Sequence, residues 1–216
     1  MPFPNIRVLA PNIRFLLNNS VRGIFEEGQY WSFGGELQEL RSYLVLRLMY
    51  DPTLDEGALI SEFLGGFYGP AGAPAVAAYI ATFEQTAADT GVFLGLYVDE
   101  HSAYLTPSAV LGAIALLRDA AAASPEPYAQ RLLVLWLAPT YVALLRWNEL
   151  TAWAAANGVA WPLPATAQAA FGNFSSVYTG AGLGAGALSE GGHGLAWLQS
   201  QLPPAGAAAA GADGGA

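Results

Sequence analysis

The sequence predicts a mainly α-helical protein that carries a short β/α remnant of a (β/α) barrel at its N-terminus. Apolar residues recur at helical spacing in most segments between residues 6 and 202, and proline or glycine separates these segments. One short apolar run, residues 21–26, is typical of a strand instead. We expect a helix–strand–loop piece (1–35), a helical domain (36–202) and a disordered tail rich in Ala, Gly and Pro (203–216).

The helices are predicted from apolar spacing and from their capping residues. In chain order they span 6–19, 36–50, a segment between the cap Asp55 and the Gly69-Pro70 turn, 74–90, 107–122, 125–157, 165–179 and 194–202. The longest of them, 125–157, is expected to bend near Pro139 and to end at Gly158. Residues 92–98 fit either a second short strand or a linker, and the loop residues that follow them favour the linker.

Composition excludes several classes of function. The chain has a formal net charge of −9, with eight arginines and no lysine, so nucleic acid is not an expected partner. The longest apolar stretch, 132–145, is shorter than the roughly 18–20 residues that span a bilayer, so it is predicted to be a core helix and no membrane span is expected.

No cofactor or metal is expected either. The chain has no cysteine and two histidines, and only His101 has neighbouring acids (Asp99 and Glu100) that could complete a metal site; a solvated turn is the preferred interpretation. Residues 180–185, GAGLGA, fit the spacing of a dinucleotide-binding motif but follow a helix instead of a strand. No signal peptide is recognisable, and the sequence specifies no compartment.

The segment 21–26 raises the main functional question. Its apolar residues, Val21 to Phe25, stop at two adjacent carboxylates, Glu26 and Glu27. A buried strand without a neighbour would leave backbone groups unpaired, at about 1–3 kcal/mol for each group. Because the chain offers at most one other candidate strand, we expect the partner strands to lie outside it. The region has the pattern of one (β/α) barrel unit: a helix, a strand, acids at the strand end, a loop and a second helix.

The same region resembles a known family. Residues 2–28, 34–52 and 59–72 read PFPNIRVLAPNIRFLLNNSVRGIFEEG, GGELQELRSYLVLRLMYDP and LISEFLGGFYGPAG. This succession resembles an uncharacterised domain-of-unknown-function family whose members are similar to glycoside hydrolases with hexosaminidase-like and α-glucuronidase-like barrels. The chain departs from the family pattern at Arg47, Tyr50 and Phe67. The resemblance is specific over about residues 3–80 and implies that most of the barrel precedes Met1.

The resemblance also implies site residues. Glycosidases use two carboxylates, about 5–5.5 Å apart when retaining and about 6.5–9.5 Å apart when inverting. Neighbours on a strand point to opposite faces, so Glu26 and Glu27 cannot easily be that pair. The resemblance favours Glu26 as the catalytic residue, and Glu27 is predicted to bind substrate. Tyr30 and Trp31, with Phe33, are predicted to form an aromatic platform for the apolar face of a sugar. Glu26's catalytic partner would then come from the missing strands.

Structural roles remain as alternatives for these residues. Glu26 and Glu27 can simply mark the strand end or pair with Arg22 or Arg41, and the aromatic residues can pack on a barrel rim. Glu36 and Arg41 are expected to orient the loop and the following helix.

Three functions are compatible with these observations. The first is a C-terminal fragment of a glycoside-hydrolase-like protein, inactive alone and carbohydrate-active with a barrel supplied upstream or by another chain. The second is a noncatalytic helical module that binds carbohydrate or protein, and the third is an unrelated helical scaffold. An independent module predicts that Phe25 and Leu37 are both buried within this chain.

Overall fold

The computed structural model describes residues 1–28, 35–95, 98–183 and 193–204. It is 67% helix and 1% strand, so the prediction of a mainly α protein is confirmed. A 3₁₀ turn, Ile6–Val8, precedes eight α-helices in the described residues: α1 (Leu9–Asn18), α2 (Gln38–Tyr50), α3 (Glu56–Thr90), α4 (Pro107–Ala122), α5 (Tyr128–Leu145), α6 (Trp147–Asn157), α7 (Ala167–Gly180) and α8 (Leu195–Ser200). Part of the predicted tail, residues 205–216, lies outside the described residues.

Local capping chemistry sets several helix ends. The side chains of Asp55, Thr106 and Thr166 each accept a hydrogen bond from the backbone N–H three residues later, at the starts of α3, α4 and α7. Gly91 and Gly158 end α3 and α6 in the left-handed conformation that a glycine adopts without a Cβ penalty.

A kink at Gly69 divides α3. Pro70 disfavours helical geometry at the preceding residue. Gly69 has φ 73° and ψ 172°, a backbone conformation that residues other than glycine rarely adopt. The predicted interruption at Gly69-Pro70 is confirmed, but the chain continues as one kinked helix instead of two helices joined by a turn.

The prediction of one helix over residues 125–157 is wrong, and the expected bend near Pro139 stays a prediction. α5 continues through Pro139, and the helix breaks at Arg146, which separates α5 from α6. The Arg146 Nη1 atom donates to the backbone carbonyls of Glu100 and Leu105 at 3.1 and 2.6 Å. These contacts with the segment before α4 hold the turn in place, whereas Pro139 removes one backbone hydrogen bond inside a buried helix.

α5 lies at the centre of the core and packs against α3, α4 and α7. It is long and apolar enough, by length and composition alone, to cross a membrane, and most of its apolar window is buried inside the protein. The absence of a membrane span therefore stays a prediction.

The N-terminal residues pack onto the helical core. The Arg14 side chain donates to the carbonyls of Pro52 and Leu54 at 2.9 and 2.8 Å, and Arg7 forms an ion pair with Glu84 at 2.7 Å. α1 also contacts α2 directly. The predicted boundary at residue 35 thus separates segments that share many contacts.

The strand predicted at residues 21–26 is not formed. Residues 21–28 have no regular secondary structure, and within the described chain no backbone hydrogen bond joins residues 22–28 to another segment. The segment is also exposed where we expected burial: Phe25 is 88% accessible. A strand needs a neighbour to accept its backbone groups, and no neighbouring strand is present among the described residues.

Candidate functional site

The two predicted acids lie in the exposed segment. Glu26 and Glu27 are both solvent-accessible, and neither forms an ion pair or hydrogen bond with another described residue. The alternative that they pair with Arg22 or Arg41 is therefore not seen. Arg41 pairs with Glu36 instead, at 2.6 Å. The catalytic role of Glu26 stays a prediction.

Tyr30 and Trp31, the predicted aromatic contacts, lie outside the described residues. Their role stays a prediction. The chain resumes at Gly35, two residues before the Leu37 that precedes α2.

A buried polar cluster holds the chain just beyond this gap. The Glu36 carboxylate accepts hydrogen bonds from Arg41 at 2.6 Å and from the Tyr79 hydroxyl at 3.0 Å. Arg41 also donates to the Asn5 side chain at 2.6 Å, to the Phe3 carbonyl at 2.7 Å and to the Glu36 carbonyl. The cluster thus ties the N-terminal residues, the start of α2 and the middle of α3 together. This geometry is the orienting role expected of Glu36 and Arg41.

Burial sets the protonation of the tyrosines around this cluster. Desolvation, reinforced by the nearby Glu36 charge, raises the pKa of Tyr79 well above its usual value. The same two causes raise the pKa of Tyr104, whose hydroxyl donates to the Pro2 carbonyl at 2.8 Å. Both phenols therefore remain protonated donors, and the cluster consists of one ion pair with fixed neutral partners.

Exposed apolar side chains are most frequent in the N-terminal part of the described chain. Among the described residues, large hydrophobic side chains with high exposure concentrate between residues 8 and 50, and outside that range they are Phe93 and Val159. The concentrated set consists of Val8, Phe15, Leu17, Val21, Phe25, Leu46, Met49 and Tyr50. We call this set the exposed apolar surface. On α2 it is the face opposite to Leu40, Leu44 and Leu48, which are buried in the core.

A cavity of about 190 Å³ lies beside the start of α2. It is bordered by the chain at the start of α2, by Phe67 and Tyr68 before the kink of α3, by the first turns of α5 and by the end of α7. Its polar lining includes Glu39, Tyr68 and Arg131. Sequence reasoning missed this site, although a charged residue at the start of the very apolar helix α5 was a signal that pointed to Arg131.

The metal interpretation gains no support from the geometry. Within the described ranges, no three His, Asp or Glu side chains converge in a way that could hold a metal ion. His101 is exposed and lies 3.8 Å from Glu100 and 3.9 Å from Glu149.

Comparison with known proteins gives one match. A family model described as "Domain of unknown function (DUF4838)" matches residues 1–81. No curated protein matches the chain, and no solved structure does. Residues 1–81 are thus similar to an uncharacterised domain-of-unknown-function family, and this segment contains Glu26, Glu27, the Glu36–Arg41 cluster and the whole exposed apolar surface.

Proposed function

We propose that this chain is the C-terminal part of a glycoside-hydrolase-like protein, inactive alone and carbohydrate-active when joined to a (β/α) barrel. The barrel would be supplied upstream or by another chain, and Val21–Glu26 would add to its sheet. Glu26 would then be a catalytic carboxylate at the strand end, with Glu27, Tyr30 and Trp31 near the sugar.

The observation that carries this proposal is the exposed apolar surface. An apolar side chain such as Phe25, with 88% of its surface accessible, gains nothing from the packing within this chain. Apolar exposure of this extent is typical of surfaces that another protein element covers. Most of the exposed apolar side chains of the described residues lie in the same part of the sequence as the segment that ends in Glu26 and Glu27, which supports a covering element there.

A noncatalytic helical module is the alternative function. It is supported by the core around α5 and by Leu37, which is 3% accessible. The same alternative expects Phe25 to be buried, and Phe25 is among the most exposed side chains described. A protein joined to its barrel therefore accounts for the burial of Leu37 and for the exposure of Phe25 in this chain. An independent module accounts only for the burial of Leu37.

The test is a glycosidase panel on the chain joined to an in-frame barrel-coding segment upstream of Met1, compared with the chain alone. We expect turnover of at least one glycoside by the joined protein and none by the chain alone. Removing a general acid or base typically costs about 10²–10⁴-fold in rate, so Glu26→Gln should lower kcat by about that factor.

Glu27→Gln is the matched control, because it makes the same chemical change one residue away and on the opposite face of the expected strand. We expect it to alter KM more than kcat. If Glu26→Gln leaves turnover unchanged in a folded joined protein, Glu26 has no part in the chemistry. If no upstream barrel exists in frame or in a partner chain, the fragment proposal is wrong.

A further inference from the structure

The cavity near α5 has a defined shape because two glycines bring α3 and α5 together. A Cβ atom built on Gly69 would lie 2.6 Å from the Tyr128 ring, and one on Gly72 would lie 2.9 Å from a Leu132 methyl group. This close approach places Phe67 and Tyr68 beside Arg131 and opposite the start of α2. The apolar part of the wall comes from Leu37, Phe67, Val134, Leu135 and Leu183.

Arg131 is the cation of the cavity. Its Nη1 atom donates to the Phe67 carbonyl at 2.7 Å, and its guanidinium lies 4.3 Å from the centre of the Phe67 ring. These two contacts fix the orientation of the side chain. In the described residues no carboxylate lies within 4.0 Å of Arg131. By contrast, Arg41, Arg47 and Arg146 each form an ion pair with a glutamate. The remaining N–H groups of Arg131 are free to bind an anion.

Tyr68 supplies a second unused polar group. Its side chain is 3% accessible and lines the cavity, yet its hydroxyl makes no hydrogen bond with a described residue. Burial, followed by the charges of Glu39 and Glu36, raises the pKa of Tyr68, so the hydroxyl stays protonated and can donate. The hydroxyl is therefore an available donor on the cavity wall, and a bound ligand can engage it.

Glu39 and Gln130 complete the polar lining. The Glu39 carboxylate accepts hydrogen bonds only, and the Gln130 amide both donates and accepts. A simple anion such as acetate would satisfy Arg131 but would leave Glu39 without a donor. A ligand with a carboxylate at one end and hydroxyl groups at the other pairs its charge with Arg131 and donates hydrogen bonds to Glu39.

We propose that this cavity binds a small hydroxylated carboxylate, with the ligand carboxylate on Arg131 and Tyr68 and its hydroxyl groups on Glu39 and Gln130. Glu26 is not among the residues that line the cavity, and the proposal does not depend on the proposed function. The carboxylate can belong to a free acid or to a larger molecule that carries the same group at its end.

Four probes that differ by single groups test the chemistry on the full chain. Glycerate carries the carboxylate and the hydroxyl groups, glycerol lacks the carboxylate, acetate lacks the hydroxyl groups, and serine replaces one hydroxyl by an ammonium. Binding is followed by two-dimensional ¹H–¹⁵N NMR, which reports the Arg131 Nε–H directly. We expect glycerate to bind with a Kd of the order of millimolar, more tightly than the other three probes.

Two variants separate binding from folding. Arg131→Gln should weaken glycerate binding about 10- to 100-fold, the usual effect of losing a hydrogen-bonded charge. Tyr68→Phe removes the hydroxyl alone and should weaken binding about 2- to 10-fold while leaving the fold intact. Arg22→Gln is the matched control, since Arg22 is exposed and far from the cavity lining in the sequence.

The proposal is overturned by any of three results: no shift at Arg131 up to a large excess of glycerate, equal binding of glycerol and glycerate, or unchanged glycerate binding in a folded Tyr68→Phe variant. Tighter binding of serine than of glycerate would also overturn it, because Glu39 would then select an ammonium group. To distinguish the two sources of the carboxylate, a peptide with a free C-terminal serine is compared with glycerate. Tighter binding of the peptide would show that the ligand is the C-terminal carboxylate of a polypeptide. It would overturn the proposal that the ligand is a free small acid.

Discussion

Replacing Gly69 by alanine tests the main geometric feature of α3. Gly69 adopts φ 73° and ψ 172°, in a region that is essentially restricted to glycine and costs other residues about 1–3 kcal/mol. The new Cβ would also lie 2.6, 2.8 and 2.9 Å from three atoms of the Tyr128 ring, and overpacking of this kind costs about 1–3 kcal/mol. Together these costs lower the free energy of unfolding by about 2–6 kcal/mol, a large share of the 5–15 kcal/mol typical of a domain.

The control is Gly158→Ala. Gly158 also has a positive φ, 64°, but a Cβ there would meet nothing within 4 Å. We expect a loss of about 1–2 kcal/mol for this variant, from backbone strain alone. The entropy that alanine removes from the unfolded chain is common to both variants and cancels in the comparison.

Urea unfolding followed by circular dichroism provides the measurement. The double variant Gly69→Ala, Tyr128→Ala should recover part of the loss, because it removes the ring that the new methyl group strikes. If Gly69→Ala costs no more than Gly158→Ala, the close contact between α3 and α5 is not as described, and the shape of the cavity beside it is wrong as well.

Three further predictions concern other regions of the chain. Arg41→Ala should lower the free energy of unfolding by about 3–5 kcal/mol in urea unfolding, because it leaves the largely buried Glu36 carboxylate without its cation. The hydrogen bond from Arg146 lowers the pKa of Glu149 below 4.5. The ionised Glu149 therefore stabilises the folded protein above pH 4.5, and this stabilisation is lost as the pH falls through the folded-state pKa. Because Glu149→Gln removes the titrating group, the thermal midpoint of this variant should fall less steeply below about pH 4.5. Phe25 should be modified rapidly in hydroxyl-radical footprinting of the chain alone and should be protected several-fold in the protein joined to its barrel, because the exposed apolar surface would then be covered.

Each of these predictions has a matched control. Arg22→Ala removes an exposed arginine and should change the free energy of unfolding by less than about 0.5 kcal/mol; an equal effect of Arg22→Ala and Arg41→Ala would contradict the role of the buried pair. Glu62→Gln removes an exposed acid and should leave the acid transition unchanged. Phe93, which is 90% accessible and lies outside residues 8–50, should remain reactive in the joined protein. Protection of Phe93 together with Phe25 would indicate general aggregation.

Sequence reasoning succeeded where structure depends on neighbouring residues. Asp55, Thr106 and Gly158 act on backbone groups within four residues, so their capping roles could be predicted from local chemistry. The interruption at Gly69-Pro70 is equally local, because the proline restricts the residue before it.

The break at Arg146 could not be predicted in this way. It depends on carbonyls of Glu100 and Leu105, which are more than 40 residues away in the sequence. Pro139 was the stronger local signal for an irregularity, yet helical structure continues through it to Leu145.

The candidate site residues also divide into those that local sequence could indicate and those that depend on distant segments. The apolar run at 21–26 has the composition of a strand, but a strand is a property of two segments, and the described chain supplies one. Tyr68 and Arg131 meet at the cavity from positions 63 residues apart, and neither belongs to a spacing pattern that indicates a binding site. Glu26 was predicted from resemblance, and its chemistry stays a prediction.

The kinked helix also determines where this chain can be divided. The similarity to the uncharacterised family stops at residue 81, which lies inside α3, two positions before the buried Phe83. A protein cut at that limit would lose the last turns of α3 and leave Tyr79, the hydroxyl partner of Glu36, close to a frayed end. The extent of family similarity is therefore not a folding unit, and a truncation meant to isolate the family segment should keep α3 whole, to Gly91.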